Sequence, residues 1–108
     1  MTGPPAVVLV LCTAATADAS VLADRLLEER LCACVNLLGP LASRYRWQGR
    51  IEEAQEMLLL IKTRADLVPT LRARIQALHA YQVPEVLEFS SSGGLDAYLA
   101  WVREACRP

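Results

Sequence analysis

From Leu41 to Trp47 apolar and polar positions alternate. Leu41, Ser43, Tyr45 and Trp47 fall on one side, and Ala42, Arg44 and Arg46 on the other. A period of two is that of a β-strand. Gln48-Gly49 follows as a tight turn, since glycine takes positive φ without steric cost. A two-residue loop fixes the register of the hairpin: Arg44 lies opposite Glu53, a cross-strand ion pair, and Arg46 opposite Ile51. The returning strand changes from polar (Glu52 to Glu56) to apolar (Met57 to Ile61). Its inner half is therefore buried, and its outer half is wet or meets a partner. Strands usually run about five or six residues. A hairpin that overhangs its own sheet predicts a partner chain.

The flanking segments read in turn. Ala6 to Cys12 is a continuous apolar run, the mark of a central strand covered on both faces, or by helices on one face and a neighbour on the other. Thr13 to Ala17 reads as a loop, with Thr16 or Asp18 capping a helix. From Ala19, apolar residues recur at Leu22, Ala23, Leu26, Leu27 and Leu31 opposite a polar face. Cys32 and Cys34, two apart, share a face if they lie on one strand. Gly39-Pro40 predicts a bulge or an edge position, because proline cannot donate to a ladder. Asp66 caps a second helix with Pro69 in its first turn. The stripe of that helix is Leu67, Leu71, Ile75 and Leu78, with His79 at its edge. Glu85 to Phe89 is a short strand, and Leu95, Tyr98, Leu99 and Val102 mark a third helix.

The order β-α-β-β-α-β plus a C-terminal helix is the α+β, ferredoxin-like split-βαβ plan, in one domain spanning residues 1–108. Two helices cover one face of a four-stranded antiparallel sheet. One short helix cannot cover the other face, which needs a partner.

Composition agrees. The chain is 54% hydrophobic over 108 residues, enough for a core and for a buried subunit face. The net charge of −1 gives no field to draw in nucleic acid or an anionic membrane. No segment reaches the roughly 20 apolar residues of a membrane span, and the first apolar run is short for a signal peptide and lacks a basic lead. A cytoplasmic protein with four reduced thiols is expected. The chain has no glycine-rich phosphate loop and no nucleophile elbow, and its one histidine has no evident orienting carboxylate, so no enzyme is read here. Acylphosphatases share the plan, but their phosphate-gripping arginine has no counterpart in Thr13 to Ala17.

An ordered set of residues carries a resemblance: Ala33-Cys34-Val35-Asn36, then Ser43, Tyr45, Trp47 and Gly49, then Glu56 and Lys62-Thr63. His79, Tyr81, Val83, Pro84 and Glu85 continue it, and Tyr98-Leu99 and Trp101 end it. Over about 100 residues the chain resembles the CutA divalent-cation-tolerance family. The resemblance implies a homotrimer like those of PII signalling proteins, with Tyr45, Trp47 and Gly49 at the interface, and a role in the response to metal ions, copper among them. Copper-binding members pair two adjacent histidines with a cysteine ending the first strand. Here Cys12 is present but the pair reads Leu78-His79, so any copper or other divalent-metal site is built from Cys12 and His79 and is weak.

Each candidate has a plainer reading beside it. Cys12 is a small core residue or a soft thiolate ligand. His79 is a packing group at a helix end or a ligand, and Cys34 is packing or a ligand. Lys62 snorkels from the sheet, or faces Glu85 or Glu56 in a cleft between subunits. Tyr45, Trp47, Tyr81 and Trp101 are interface and core aromatics or the walls of a ligand cage. Three functions follow: a trimeric metal-response protein; a PII-like signalling module taking a small anionic ligand through Lys62, Arg64 and Glu85; and a trimeric protein-interaction scaffold.

Overall fold

The computed structural model describes residues 3–108. Strand β1 (Val7–Ala15) is followed by helix α1 (Thr16–Glu28), the hairpin β2 (Cys34–Trp47) and β3 (Arg50–Arg64), helix α2 (Val68–Leu78), strand β4 (Leu87–Ser90) and helix α3 (Asp96–Ala105). The sheet order is β2-β3-β1-β4, with every neighbouring pair antiparallel. The expected split-βαβ plan is therefore the observed one.

The hairpin register matches its derivation. Arg44 pairs with Glu53 and Arg46 with Ile51, and Arg44 Nε lies 3.1 Å from a Glu53 carboxylate oxygen. Gln48 and Gly49 have φ of 50° and 78°, as a turn with two left-handed central residues requires. The register slips between Leu38 and Leu41, where Gly39-Pro40 interrupts the ladder.

Strand pairing sorts the side chains into two faces. Val8, Val10, Cys12 and Ala14 of β1 and Leu59, Ile61 and Thr63 of β3 are all buried. Against them pack Ala19, Leu22, Ala23 and Leu26 of α1 and Leu71 and Ile75 of α2, forming the core. Thr63 is the polar member of this layer, and its hydroxyl donates 2.7 Å to the Leu31 carbonyl. The opposite face is set out in cross-strand rows: Phe89-Leu9-Lys62-Cys34, Leu87-Leu11-Leu60-Asn36, Thr13-Leu58-Leu38 and Ala15-Glu56-Leu41. Among the described residues only α3 approaches this side, at the end where β1 begins and β3 finishes. There Arg64 donates to the carbonyls of Arg103 and Arg107 at 3.0 and 2.6 Å. Phe89, Leu87 and Leu38 are left 44–53% exposed.

Several boundaries differ from the expected ones. β1 runs through Thr13, Ala14 and Ala15 because β3 continues alongside it, pairing Ala15 with Glu56. No loop intervenes before α1. The helix starts at Thr16 after Ala15, and neither Thr16 nor Asp18 caps it through a side chain. Asp66 does not cap α2 either. It lies in a 3₁₀ turn (Ala65–Leu67) and makes a two-pronged pair with Arg64, with contacts of 2.9 and 3.2 Å. Cys32 is buried ahead of β2, so it does not share a strand face with Cys34. β4 starts at Leu87 rather than Glu85, which leaves Glu85 in the loop.

Beyond the Ala15–Glu56 pair, β3 has no neighbour except β2. The hairpin therefore projects from the body as a two-stranded ribbon. The molecule measures 48 × 26 × 23 Å, and its radius of gyration is 14.6 Å, against about 13 Å for a compact chain of this length.

Candidate functional site

After α2, the chain turns at His79 and crosses the end of β1 on its way to β4. His79 has left the helix; its ψ is 141°. Its Nε2 lies 2.7 Å from the Thr13 carbonyl and its Nδ1 accepts the Tyr81 backbone N–H at 3.0 Å. A carbonyl only accepts, so Nε2 carries the proton and the ring is the neutral tautomer. The imidazole thereby fixes the start of the loop against β1. The Tyr81 ring packs on it at 4.6 Å between centroids.

Tyr81 then reaches Glu56. Its hydroxyl donates to a Glu56 carboxylate oxygen at 2.7 Å. Burial, followed by this bond, pushes the phenol above its ordinary range, so it stays a donor. Glu56 is only 5% exposed. None of the five ion pairs among the described residues involves it. Between the loop and the hairpin lies a cleft of about 770 Å³. Tyr81, Pro84 and Glu85 of the loop line it, with Ser43, Tyr45, Trp47 and Glu56 of the hairpin and Thr13 of β1.

The sequence-derived candidates separate into three places. Tyr81, Glu85, Tyr45 and Trp47 meet in this cleft. Cys12 lies beneath it in the core, fully buried, with its thiol 3.6 Å from the Thr13 carbonyl. Burial, then Glu85, then Glu56 push that thiol up to about 12. Lys62 and Cys34 pair with each other on the helix-free face, half-buried. Lys62 lies six residues along β3 from Glu56, roughly 20 Å at the rise of a strand, so within one chain it does not reach Glu56, and none of the ion pairs among the described residues joins it to Glu85. Arg64 is committed to Asp66 and the C-terminal carbonyls. Gly49 sits at the exposed tip of the hairpin.

These positions bear on metal chemistry. A metal at Cys12 and His79 requires a thiolate and a free imidazole nitrogen. The thiol is held protonated, and both ring nitrogens already have partners. Among the described residues no three or more His, Cys, Asp or Glu side chains are grouped to hold an ion. The donor set of one chain does not fit a closed metal site. The residue that sequence reading undervalued is Glu56. Its position in a polar stretch suggested exposure, and its burial depends on Tyr81, 25 residues away in sequence.

Comparisons with known proteins identify the family and the fold. The family model for the CutA1 divalent ion tolerance protein matches residues 7–105. A divalent-cation tolerance protein CutA from Thermus thermophilus is 49% identical over 86 residues, 80% of this chain and 84% of the relative. The human protein CutA is 43% identical over 83 residues, 77% of this chain but 46% of the human one. The chain spans about half the length of its animal and plant relatives. The crystal structure of CutA1 from Oryza sativa superposes with a TM-score of 0.92 at 34% identity, covering 96% of both chains. No helix among the described residues is long and apolar enough to cross a membrane. With the family's model matched from the first strand to the last helix, and its fold reproduced at this level, the chain belongs to the CutA divalent ion tolerance family.

Proposed function

We propose that this chain is a cytoplasmic homotrimeric protein of the response to divalent metal ions, and that its own metal affinity is low. The kinship supports the metal-ion role. The observation that supports assembly is the helix-free sheet face, whose central rows present Leu9, Leu11, Leu58 and Leu60 with Leu38, Leu87 and Phe89 around them. A contiguous apolar face of this kind marks an interface, and a free two-stranded ribbon is marginal on its own in water. Covering both in one step favours a closed ring of copies. The four free cysteines suit a reducing compartment.

Copper, in this reading, binds weakly through Cys12 and His79. Binding must deprotonate a buried thiol and break a hydrogen bond of the imidazole. Two ligands suit Cu(I) better than zinc, which takes about four in a closed site. Light scattering should give three times the 11.9 kDa chain mass. Competition against a Cu(I) chelator should show low affinity that falls further as pH drops. A stable monomer or dimer overturns the trimer. Copper affinity unchanged in the Cys12→Ser, His79→Ala double variant overturns the site.

A second reading, a PII-like module taking a small anion between copies, draws on Lys62. Among the described residues no carboxylate pairs with it. Lys62→Met should then abolish anion binding and leave the trimer intact, whereas a merely snorkelling lysine should be replaceable at little cost.

A further inference from the structure

Two buried thiols flank one residue at the end of the sheet where β3 finishes. Thr63 is fully buried on the side of the sheet that faces the helices. Its hydroxyl lies 2.7 Å from the carbonyl of Leu31, the residue before Cys32, and 3.9 Å from the Cys106 Sγ. Backbone bonds keep these segments together: the Ala33 N–H donates to the Lys62 carbonyl, and the Arg107 N–H to the Arg30 carbonyl, both at 2.8 Å. Cys32 and Cys106 are each 2% exposed. Burial raises the Cys32 thiol most, and Cys106 is the first of two neighbouring thiols that raise it further. The other, Cys34, pairs with Lys62 and so lies on the opposite face of the sheet from Thr63.

The two cysteines differ in how firmly they are held. Cys32 belongs to the main core. Cys106 follows α3, and from Asp96 onward only Val102 and Cys106 are buried. The rest of this segment hangs on arginine side chains. Arg30 donates to the carbonyls of Glu104, Ala105 and Cys106, each at 3.4 Å, and Arg64 to those of Arg103 and Arg107. Few buried apolar contacts and solvent-accessible hydrogen bonds mark a unit that opens locally, well below the cost of global unfolding.

We propose that Cys32 and Cys106 form a reversible disulfide that pins the segment after α3 to the turn between α1 and β2. The oxidant is a small disulfide such as oxidised glutathione. When the segment opens, the Cys106 thiolate attacks it, one glutathione leaves and a mixed disulfide remains. On reclosing, the Cys32 sulfur attacks the Cys106 sulfur and the second glutathione leaves, taking the Cys32 proton. Two protein thiols are oxidised, one small disulfide is reduced, and both protons end on the two glutathiones. Only Cys106 meets the oxidant, so Cys32 stays shielded from other reagents. In a reducing compartment such a bond is transient, as sensing disulfides are. The inference goes beyond the metal-response reading and does not depend on it.

The test is equilibration of the assembled protein with oxidised glutathione, followed by alkylation in denaturant and mass spectrometry of tryptic peptides. A bond joining residues 31–44 to residues 104–108 of the same chain is expected, and dithiothreitol should reverse it. The first peptide also holds Cys34, so the bond should persist in Cys34→Ala and vanish in Cys32→Ala and in Cys106→Ala. Cys32→Ala should instead accumulate the glutathione adduct of Cys106. Amide exchange at Arg107 should slow roughly tenfold or more on oxidation, because its segment no longer opens freely. Absence of the bond from the native protein at every ratio of oxidised to reduced glutathione overturns the proposal. So does its loss in Cys34→Ala, a bond that joins two chains on a non-reducing gel, or unchanged exchange at Arg107 once the bond has formed.

Discussion

His79 Nε2 and the Thr13 carbonyl oxygen are 2.7 Å apart, and this contact joins the end of α2 to β1. The same ring accepts the Tyr81 N–H, so one side chain sets the path of the loop that carries Tyr81 to Glu56. His79→Ala removes both bonds and leaves a partly buried carbonyl and N–H to find water. It should cost about 1–3 kcal/mol, read from urea unfolding. Amide exchange should quicken over residues 79–86, because the loop then opens locally. An unchanged midpoint with unchanged exchange at Tyr81 would show that the imidazole does not hold the loop.

Two glycines of the hairpin are constrained for different reasons. Gly49, at φ 78°, has open space where a Cβ would stand, so only its backbone conformation resists substitution. Gly39, at φ 136°, would place a Cβ 3.0 Å from the Glu56 carbonyl oxygen, the Leu41 nitrogen and the Met57 sulfur. Gly49→Ala should cost about 1–2 kcal/mol and Gly49→Asn less, since asparagine tolerates left-handed φ. Gly49→Val should be worse than either and should weaken assembly with folding. Gly39→Ala should exceed Gly49→Ala, since strain and crowding add there. Equal losses for the two alanine variants, measured by urea midpoints, would refute the distinction.

The hairpin could be read residue by residue because its signals are local. Alternation over Leu41 to Trp47 and a glycine at the turn fix the Arg44–Glu53 register without reference to the rest of the chain. Helix stripes were legible for the same reason: Leu22, Ala23, Leu26, Leu71 and Ile75 repeat at the helical period and are buried. Capping was not legible. Thr16, Asp18 and Asp66 are good caps by type, but β1 extends to Ala15 under the pull of β3, and Arg64 takes Asp66. The cleft was half legible. Tyr81, Glu85, Tyr45 and Trp47 were picked out singly, while the burial of Glu56 and the separation of Lys62 depend on how the loop crosses the sheet and on counting along β3. Neither leaves a trace in the local pattern.

The buried thiols should be inert. Burial pushes both Cys12 and Cys32 up to about 12, so at pH 8 only roughly one in 10⁴ is thiolate even before access is considered. Iodoacetamide at that pH should leave both unmodified in the folded protein and label both in denaturant, as mass spectrometry of tryptic peptides can report. Rapid labelling of Cys12 in the native state would contradict its placement in the core, and would favour the thiolate that tight copper binding needs.

Arg74 of α2 grips Glu29, the residue after α1, through two bonds of 2.7 and 3.0 Å, and Arg25 adds a longer one of 3.4 Å. The Arg74 hydrogen bonds are the main reason the Glu29 carboxyl is held below the ordinary glutamate range. A lowered folded value means that, as pH falls, the unfolded chain takes up the proton first. The contribution is therefore complete above the ordinary glutamate value of about 4.3 and is lost as pH drops through the folded one. Arg74→Leu should lower the urea midpoint modestly at pH 7, since both side chains remain a quarter to a third exposed and solvent screens them. Arg25→Leu should lower it less. The gap between wild type and Arg74→Leu should be narrower at pH 3 than at pH 7, since protons compete with Arg74 for Glu29 as pH falls. A gap of the same size at both pH values would mean that Arg74 acts through packing of its alkyl stem, not through its charge.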